Sequence, residues 1–343
     1  SLVGSEMCIR DRIKIMNTQR INLYDNMKAF AIILVVMGHI NEFSLGGANP
    51  LWFHFYDSFH MSIFFFVSGL FLFKKFEFTE DIKQVGKKLL FQYYRRFFQL
   101  MLPFTIIGML YCFASSKSIL SILNGDELRF WFLPSLAIDI LVVYMAYFLF
   151  RILNVKNTLV RCFLSVCVWI GCYAITYLFA DLKDSHYYMM AIRNLPYLGL
   201  GIFYHSVPRI KKYFANESLL AVCFIAFIAF LFLGKNWLQI KWGGIMVIPV
   251  LMHIFSLHEN SIPLWFTKIG RSTLAIYVFH YFLLPNTQFA NCLNENLSCN
   301  LIIYLIVSIF IAMPIILICM LLERIIKGNR YLNKMIWFQT TKV

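Results

Sequence analysis

The sequence is short of charge. Of its 343 residues only 14% are Asp, Glu, Lys or Arg, against roughly a quarter in soluble domains. Acidic residues are scarcer than basic ones, 17 against 31, which leaves a formal net charge of +14. The chain has no CxxC pair and no Cys/His spacing of the metal-binding kind, so no metal site is expected. It also lacks heptads, low-complexity tracts, a convincing repeat, and any polar stretch long enough for a second soluble domain.

What remains is apolar. Hydrophobic residues make up 60% of the chain, more than one soluble core of this size can hide. Lipid is the alternative solvent, and in lipid only helices or closed barrels satisfy their own backbone. The apolar stretches are continuous rather than alternating, so they read as helices. A strongly basic chain can signal nucleic acid, but here the basic residues lie between apolar runs instead of forming one patch. No nucleic-acid partner is expected. The nine cysteines are scattered, mostly inside apolar runs, and read as small buried apolar residues. Cys292 and Cys299 share a loop and can pair if it faces an oxidising compartment. Residues 1–15, SLVGSEMCIRDRIKI, are too polar for a signal peptide. They are read as a leader foreign to the native chain, with Met16 as the start and 16–343 as a single transmembrane domain. The first span then acts as an uncleaved signal anchor.

Spans of about 20 apolar residues are placed near 24–42, 58–74, 97–114, 131–150, 159–180, 189–205, 218–233, 242–257, 269–285 and 301–322. The fold class expected is an all-α integral membrane protein of about ten transmembrane helices. The runs at 189–205 and 242–257 are the weakest, so nine or eleven spans are also compatible. Orientation follows from loop charge. Lys74, Lys75, Lys83, Lys87, Lys88, Arg95 and Arg96 follow the second span, whereas loops 43–57 and 286–300 contain neither Lys nor Arg. Most of the basic residues fall on one side, which makes both termini cytoplasmic and accounts for the net charge. The segment 74–96, with Val85, Leu89 and Leu90, reads as an amphipathic helix on the inner surface.

Ionisable groups inside spans are costly and so mark candidate sites. The first span, YDNMKAFAIILVVMGHI, carries Asp25, Lys28 and His39. Asp25 and Lys28 pair at i, i+3 spacing. Lys28 and His39 are about three turns apart on one face, and His39 lies about 21 Å beyond Asp25. Asp25 then marks the cytoplasmic boundary and His39 the outer half. The residues alone leave a second reading, an interfacial ion pair and a headgroup histidine. His60 opens the second span at a depth similar to His39, and the two can be neighbours. Ser68-Gly69 is read as a helix-packing point. Arg95, Arg96 and Gln99 stand at the cytoplasmic end of the third span, where guanidinium groups suit a phosphorylated ligand. The fourth span opens with RFWFLPS, an aromatic belt, and carries Asp139, with Arg193 of the sixth span as a partner. In the ninth span Thr273 and His280 share a face, and His280 approaches the outer half.

The order DNMKAFAIILVVMGH, FHMSIFFFVSG, RRFFQLMLP, WFLPSL, IGRSTLAIYVFH resembles the acyltransferase-3 family of bacterial membrane acyltransferases, across nearly the whole chain. The resemblance implies about ten helices in the bacterial inner membrane. It implies acyl transfer, usually acetyl, from cytoplasmic acyl-CoA to a hydroxyl of a surface glycan or lipid-linked sugar. His39 then matches the catalytic histidine, Asp25 the acid before it, and Lys28 a position where many members have arginine. Arg96 matches the first of a paired-arginine motif. Gln99 stands where the second arginine is usual, with Arg95 able to compensate as part of the donor site. His60 and His280 fall on the acceptor side. No permanently bound cofactor is implied, only acyl-CoA as co-substrate. A second transfer step would need a separate extracytoplasmic partner enzyme. The main rival reading is a secondary transporter using Asp25, Asp139 and Arg193; a third is a non-catalytic membrane scaffold or sensor.

Overall fold

The computed structural model describes residues 22–45, 50–73, 81–120, 128–179, 185–233, 237–259, 261–285 and 301–338. Cys292, Cys299 and residues 1–15 lie outside them. Every regular element among the described residues is a helix. In chain order these are α1 Asn22–His39, α2 Pro50–Leu70, α3 Ile82–Ala114, α4 Phe132–Ile152, α5 Thr158–Leu178, α6 His186–Ser206, α7 Pro208–Phe214, α8 Glu217–Leu233, α9 Trp237–Leu257, α10 Leu264–Arg271, α11 Thr273–Phe279, α12 Leu301–Gly328 and α13 Arg330–Trp337. Five stretches among the described residues are long and apolar enough to cross a membrane. These are α1 with the turn that follows it, α3, α4, α5 and α12. The pair α7–α8, bent by 70°, makes a sixth if it counts as one span. The chain is therefore a multi-pass helical membrane protein.

Several elements differ from the sequence reading. The amphipathic segment and the third span are one continuous helix, α3. Its polar first half is rich in Lys, Gln and Leu, all good helix formers, and the helix runs through Gly86 without a break. Val85 and Leu89 are buried as expected, but Leu90 is exposed. The expected ninth span is broken at Ser272 into α10 and α11, with a 3₁₀ turn at His280–Phe282 beyond. Gly270 packs so closely on the carbonyl oxygen of Asp25 that a Cβ there would collide with it. That contact fixes α10 against α1, and α11 begins directly after the break. Among the described cysteines only Cys112 and Cys319 are buried. Cys162, Cys167 and Cys172 all sit on α5, which turns outward.

α1 is largely enclosed by protein, as is α2. Of the apolar window of α1 72% is buried, against none for α5, so α1 is a central post and α5 a lipid-facing staff. α1 packs on α2, α10, α12, α9 and α11. Two small residues let α2 and α6 cross at backbone contact. A Cβ on Gly69 would strike the Leu198 carbonyl, and one on Gly201 the Phe66 carbonyl. With few hydrophobic gains between helices in lipid, such close van der Waals packing holds a bundle together. The expected packing role of Gly69 is thus realised.

Candidate active site

The first half of the site is built by α1. Its residues from Asn22 to Gly38 are buried along most of one continuous helix, and His39 stands at its last position. A π-helical turn, Ile40–Ser44, follows at once. Such turns are common at functional positions. Here Ser44 Oγ donates to the Pro285 carbonyl at 2.8 Å, which ties the end of α1 to the chain beyond α11. Gly38 leaves room for the Tyr56 ring, which any Cβ would strike.

The second half comes from α11 and its 3₁₀ turn. His39 Nδ1 lies 2.7 Å from His280 Nε2, and the rings are nearly parallel, 5° apart in plane. His280 Nδ1 is 2.8 Å from the Ile276 carbonyl. A carbonyl only accepts, so His280 carries its proton on Nδ1 and, when neutral, offers a lone pair at Nε2. His39 must therefore donate from Nδ1 to His280, and in the neutral ring its own lone pair is at Nε2. That Nε2 lies 3.2 Å from the Tyr281 hydroxyl, which donates to it. The order is a relay: the Ile276 carbonyl fixes His280, His280 fixes His39, and His39 presents a basic nitrogen beside Tyr281. The tautomers follow from donor and acceptor chemistry and not from observed hydrogens.

A third component is Arg129, just before α4. Its guanidinium lies over three rings, 4.6 Å from the centre of Phe43, 5.0 Å from Tyr111 and 5.8 Å from Tyr281. Cation–π contact of this kind helps to hold a desolvated guanidinium in place. Half-burial lowers its pKa from the ordinary arginine value, and Tyr281 and Glu42 oppose that shift, so the group stays cationic. It is within electrostatic reach of both His39 and His280. Tyr277 fastens this arm to α11: its hydroxyl donates to the Arg129 carbonyl at 3.1 Å and accepts from the Phe132 amide at 3.2 Å.

The other predicted residues are distributed as follows. Asp25 pairs with Lys28 at 2.9 Å, as the spacing suggested. It also pairs with Arg271 of α10 at 3.3 Å, which the sequence reading missed. Arg271 reaches Asn22 Oδ1 as well, and Thr267 donates to Asn26, so this end of α1 is clamped to α10. Thirteen residues of helix separate this clamp from His39, and the two groups do not form one cluster. Arg96 donates to the Phe71 carbonyl at 3.2 Å, at the end of α2, while Arg95 is exposed and Gln99 partly buried. His60 is buried and donates from Nδ1 to the Tyr56 carbonyl. It is close enough to act electrostatically on His39, the neighbour expected at similar depth, while the ring that bonds His39 belongs to His280. The His60 and His280 rings are each tied by Nδ1 to a carbonyl one turn back, and it is α11, packed on α1, that brings a free ring nitrogen to hydrogen-bond distance of His39.

Asp139 is fully buried, and neither carboxylate oxygen has a hydrogen-bond partner among the described residues. The expected pairing with Arg193 is not made. The charge of Arg193 acts on His186 of its own helix. Two of the three charges that a transporter reading would use, Asp139 and Arg193, are thus not brought together. Arg129 and Tyr281 had a usable signal in the sequence. Arg129 is a lone arginine at the basic-poor end of the fourth span, against the charge bias of the chain, and Tyr281 follows His280 directly.

The chain was also compared with known proteins. A protein-family model described as an acyltransferase domain matches residues 21–322, which include His39, His280, Tyr281, Arg129 and the Asp25 clamp. No curated protein and no solved structure matches.

Proposed function

The chain belongs to the acyltransferase-3 family, and from that premise we propose that this membrane O-acyltransferase moves an acyl group, in the simplest case acetyl, from cytoplasmic acyl-CoA to a hydroxyl of a surface glycan or lipid-linked sugar. His39 is the general base. The observation that carries this reading is the relay that leaves His39 Nε2 as an acceptor.

The chemistry follows from those atoms. The acceptor hydroxyl displaces the Tyr281 hydroxyl from His39 Nε2 and attacks the thioester carbonyl carbon, while its proton passes to Nε2. The resulting imidazolium is stabilised because His280 Nε2 already accepts from His39 Nδ1, the role that an orienting third group plays in catalytic triads. Negative charge gathers on the carbonyl oxygen. Arg129, held by three rings, supplies a fixed positive charge near it. The tetrahedral intermediate collapses, the C–S bond breaks, and the proton on His39 moves to the departing thiolate. A thioester is already activated, so no covalent enzyme intermediate is needed.

The donor nucleotide belongs at the other end of the bundle in this reading, held by Arg95, Arg96 and Gln99. Lys28 and Asp25 stand nearby on α1. The uninterrupted α1 gives the pantetheine arm a path of about 21 Å between Asp25 and His39. His60 lies on the acceptor side. We place the protein in a bacterial inner membrane with about ten spans and both termini cytoplasmic, and any onward transfer would use a separate extracytoplasmic enzyme. The test is transfer from labelled acyl-CoA to membrane-enclosed glycan in reconstituted vesicles, with solute uptake measured in parallel. Wild type should transfer label and take up none of the solutes. His39→Ala should lose about 10²–10⁴-fold in transfer rate while binding acyl-CoA as before. Substantial activity in a well-inserted His39→Ala protein would overturn the mechanism.

A further inference from the structure

A cleft of about 700 Å³ lies between α4, α5 and α6, within the size range of small-molecule and lipid pockets. It occupies the half of these helices away from the histidine pair. The start of α4 is the histidine end, because the Phe132 amide bonds Tyr277, and the cleft is lined by its later residues, Val142 to Phe150. The wedge has a structural cause. Two hydrogen bonds fasten the far half of α5 to α6: Trp169 Nε1 to the Ile192 carbonyl at 2.9 Å, and Tyr188 hydroxyl to the Cys172 carbonyl at 3.0 Å. The near half of α5 stands off, and α5 buries none of its apolar window in protein. The cleft therefore opens sideways to the bilayer.

The lining is two-part. Deep walls are apolar, with Val143, Ala146, Trp169 and Leu200 among them. The mouth carries Arg161 and Thr158 from the start of α5, and His205 and Ser206 from the end of α6. Arg161 is held there by its own bonds to the Lys156 carbonyl and to Thr158 Oγ1. No acidic residue is among the described lining residues, and Lys156 and Arg209 flank the mouth in sequence. Water in an apolar wedge finds few of the polar partners it needs, whereas a guanidinium at the rim matches a phosphate diester.

We propose that this cleft is a binding site for an anionic phospholipid, one acyl chain between α5 and the α4–α6 pair and the phosphate at Arg161. The site is separate from the histidine relay, and its occupancy does not depend on the transfer mechanism. Gly199 makes it testable, since it lines the cleft and a Cβ there meets nothing within 4 Å. A leucine at 199 puts its side chain towards the wedge, with a Cβ that meets no neighbour. The experiment is native mass spectrometry of purified protein exchanged against mixed micelles of phosphatidylglycerol and phosphatidylcholine with identical chains. Wild type should retain phosphatidylglycerol in about tenfold preference. Arg161→Gln should erase the preference, and Gly199→Leu should remove bound lipid of either kind. Gly171→Leu, on the same α5 but outside the cleft and equally unobstructed, should bind as wild type does. Glycerol phosphate should not compete, because the chain supplies much of the binding. Unchanged lipid retention in Gly199→Leu, an unchanged preference in Arg161→Gln, or displacement by glycerol phosphate alone would each overturn the proposal.

Discussion

In the proposed mechanism His39 works only as well as its neighbours hold it. Its Nδ1 has one strong acceptor, His280 Nε2, and a hydrogen bond to a charged group is worth about 1.5–3 kcal/mol. His280→Ala should therefore lower kcat by about 10- to 100-fold, more than His60→Ala. His280→Gln should recover part of the loss, because a carboxamide oxygen can still accept from His39. Equal, small losses for His280→Ala and His60→Ala would show that the relay does not assist transfer. Arg129 makes a second demand. If it stabilises the oxyanion, Arg129→Gln should cost about 10²–10³-fold in kcat, with little change in the KM for acyl-CoA. A variant that raises only KM would assign Arg129 to substrate binding instead.

At the level of elements, backbone-to-backbone crossings position the site. Gly201 meets the Phe66 carbonyl and Gly69 the Leu198 carbonyl, so α2 and α6 have no room for a side chain between them. Overpacking of this kind costs about 1–3 kcal/mol or more. Gly201→Val should lower the melting temperature and the yield of folded protein in detergent, whereas Gly171→Val, whose Cβ meets open space, should change neither beyond the small helix-propensity effect. Thermal scans of the two variants side by side provide the check, and equal stability would mean that the crossing is looser than described. The break between α10 and α11 is of the same kind. Gly270 locks α10 onto Asp25, and α11, resuming after Ser272, ends where His280 meets His39.

For the whole molecule, loop charge makes a testable statement of orientation. Reporter fusions after Lys212 should score as cytoplasmic and fusions near Asn291 as external, because the positive-inside rule counts Lys and Arg in short loops. A cytoplasmic score near Asn291 would break the proposed arrangement of ten spans and both termini inside. The same orientation puts the histidine relay towards the outer face and the Asp25–Lys28–Arg271 clamp towards the inner one.

The sequence by itself determined that the chain is helical and lives in lipid, because continuous apolar runs have no other stable form there. It also determined the Asp25–Lys28 pair, since helix spacing is a local property that residue order records directly. It did not determine which side of each helix meets which neighbour. In lipid an apolar side chain is equally well placed against protein or acyl chains, so hydropathy carries little phase information, and packing of small residues and a few hydrogen bonds chooses the partners. Only the tertiary structure therefore decided that the ring on His39 is His280 and not His60, across 241 positions of sequence. It decided that Arg271 completes the Asp25 clamp, that Asp139 and Arg193 stay apart, and that Arg129 is held over Phe43, Tyr111 and Tyr281. Each of these contacts joins helices far apart in the chain, and each depends on where the close glycine crossings let the helices come to rest.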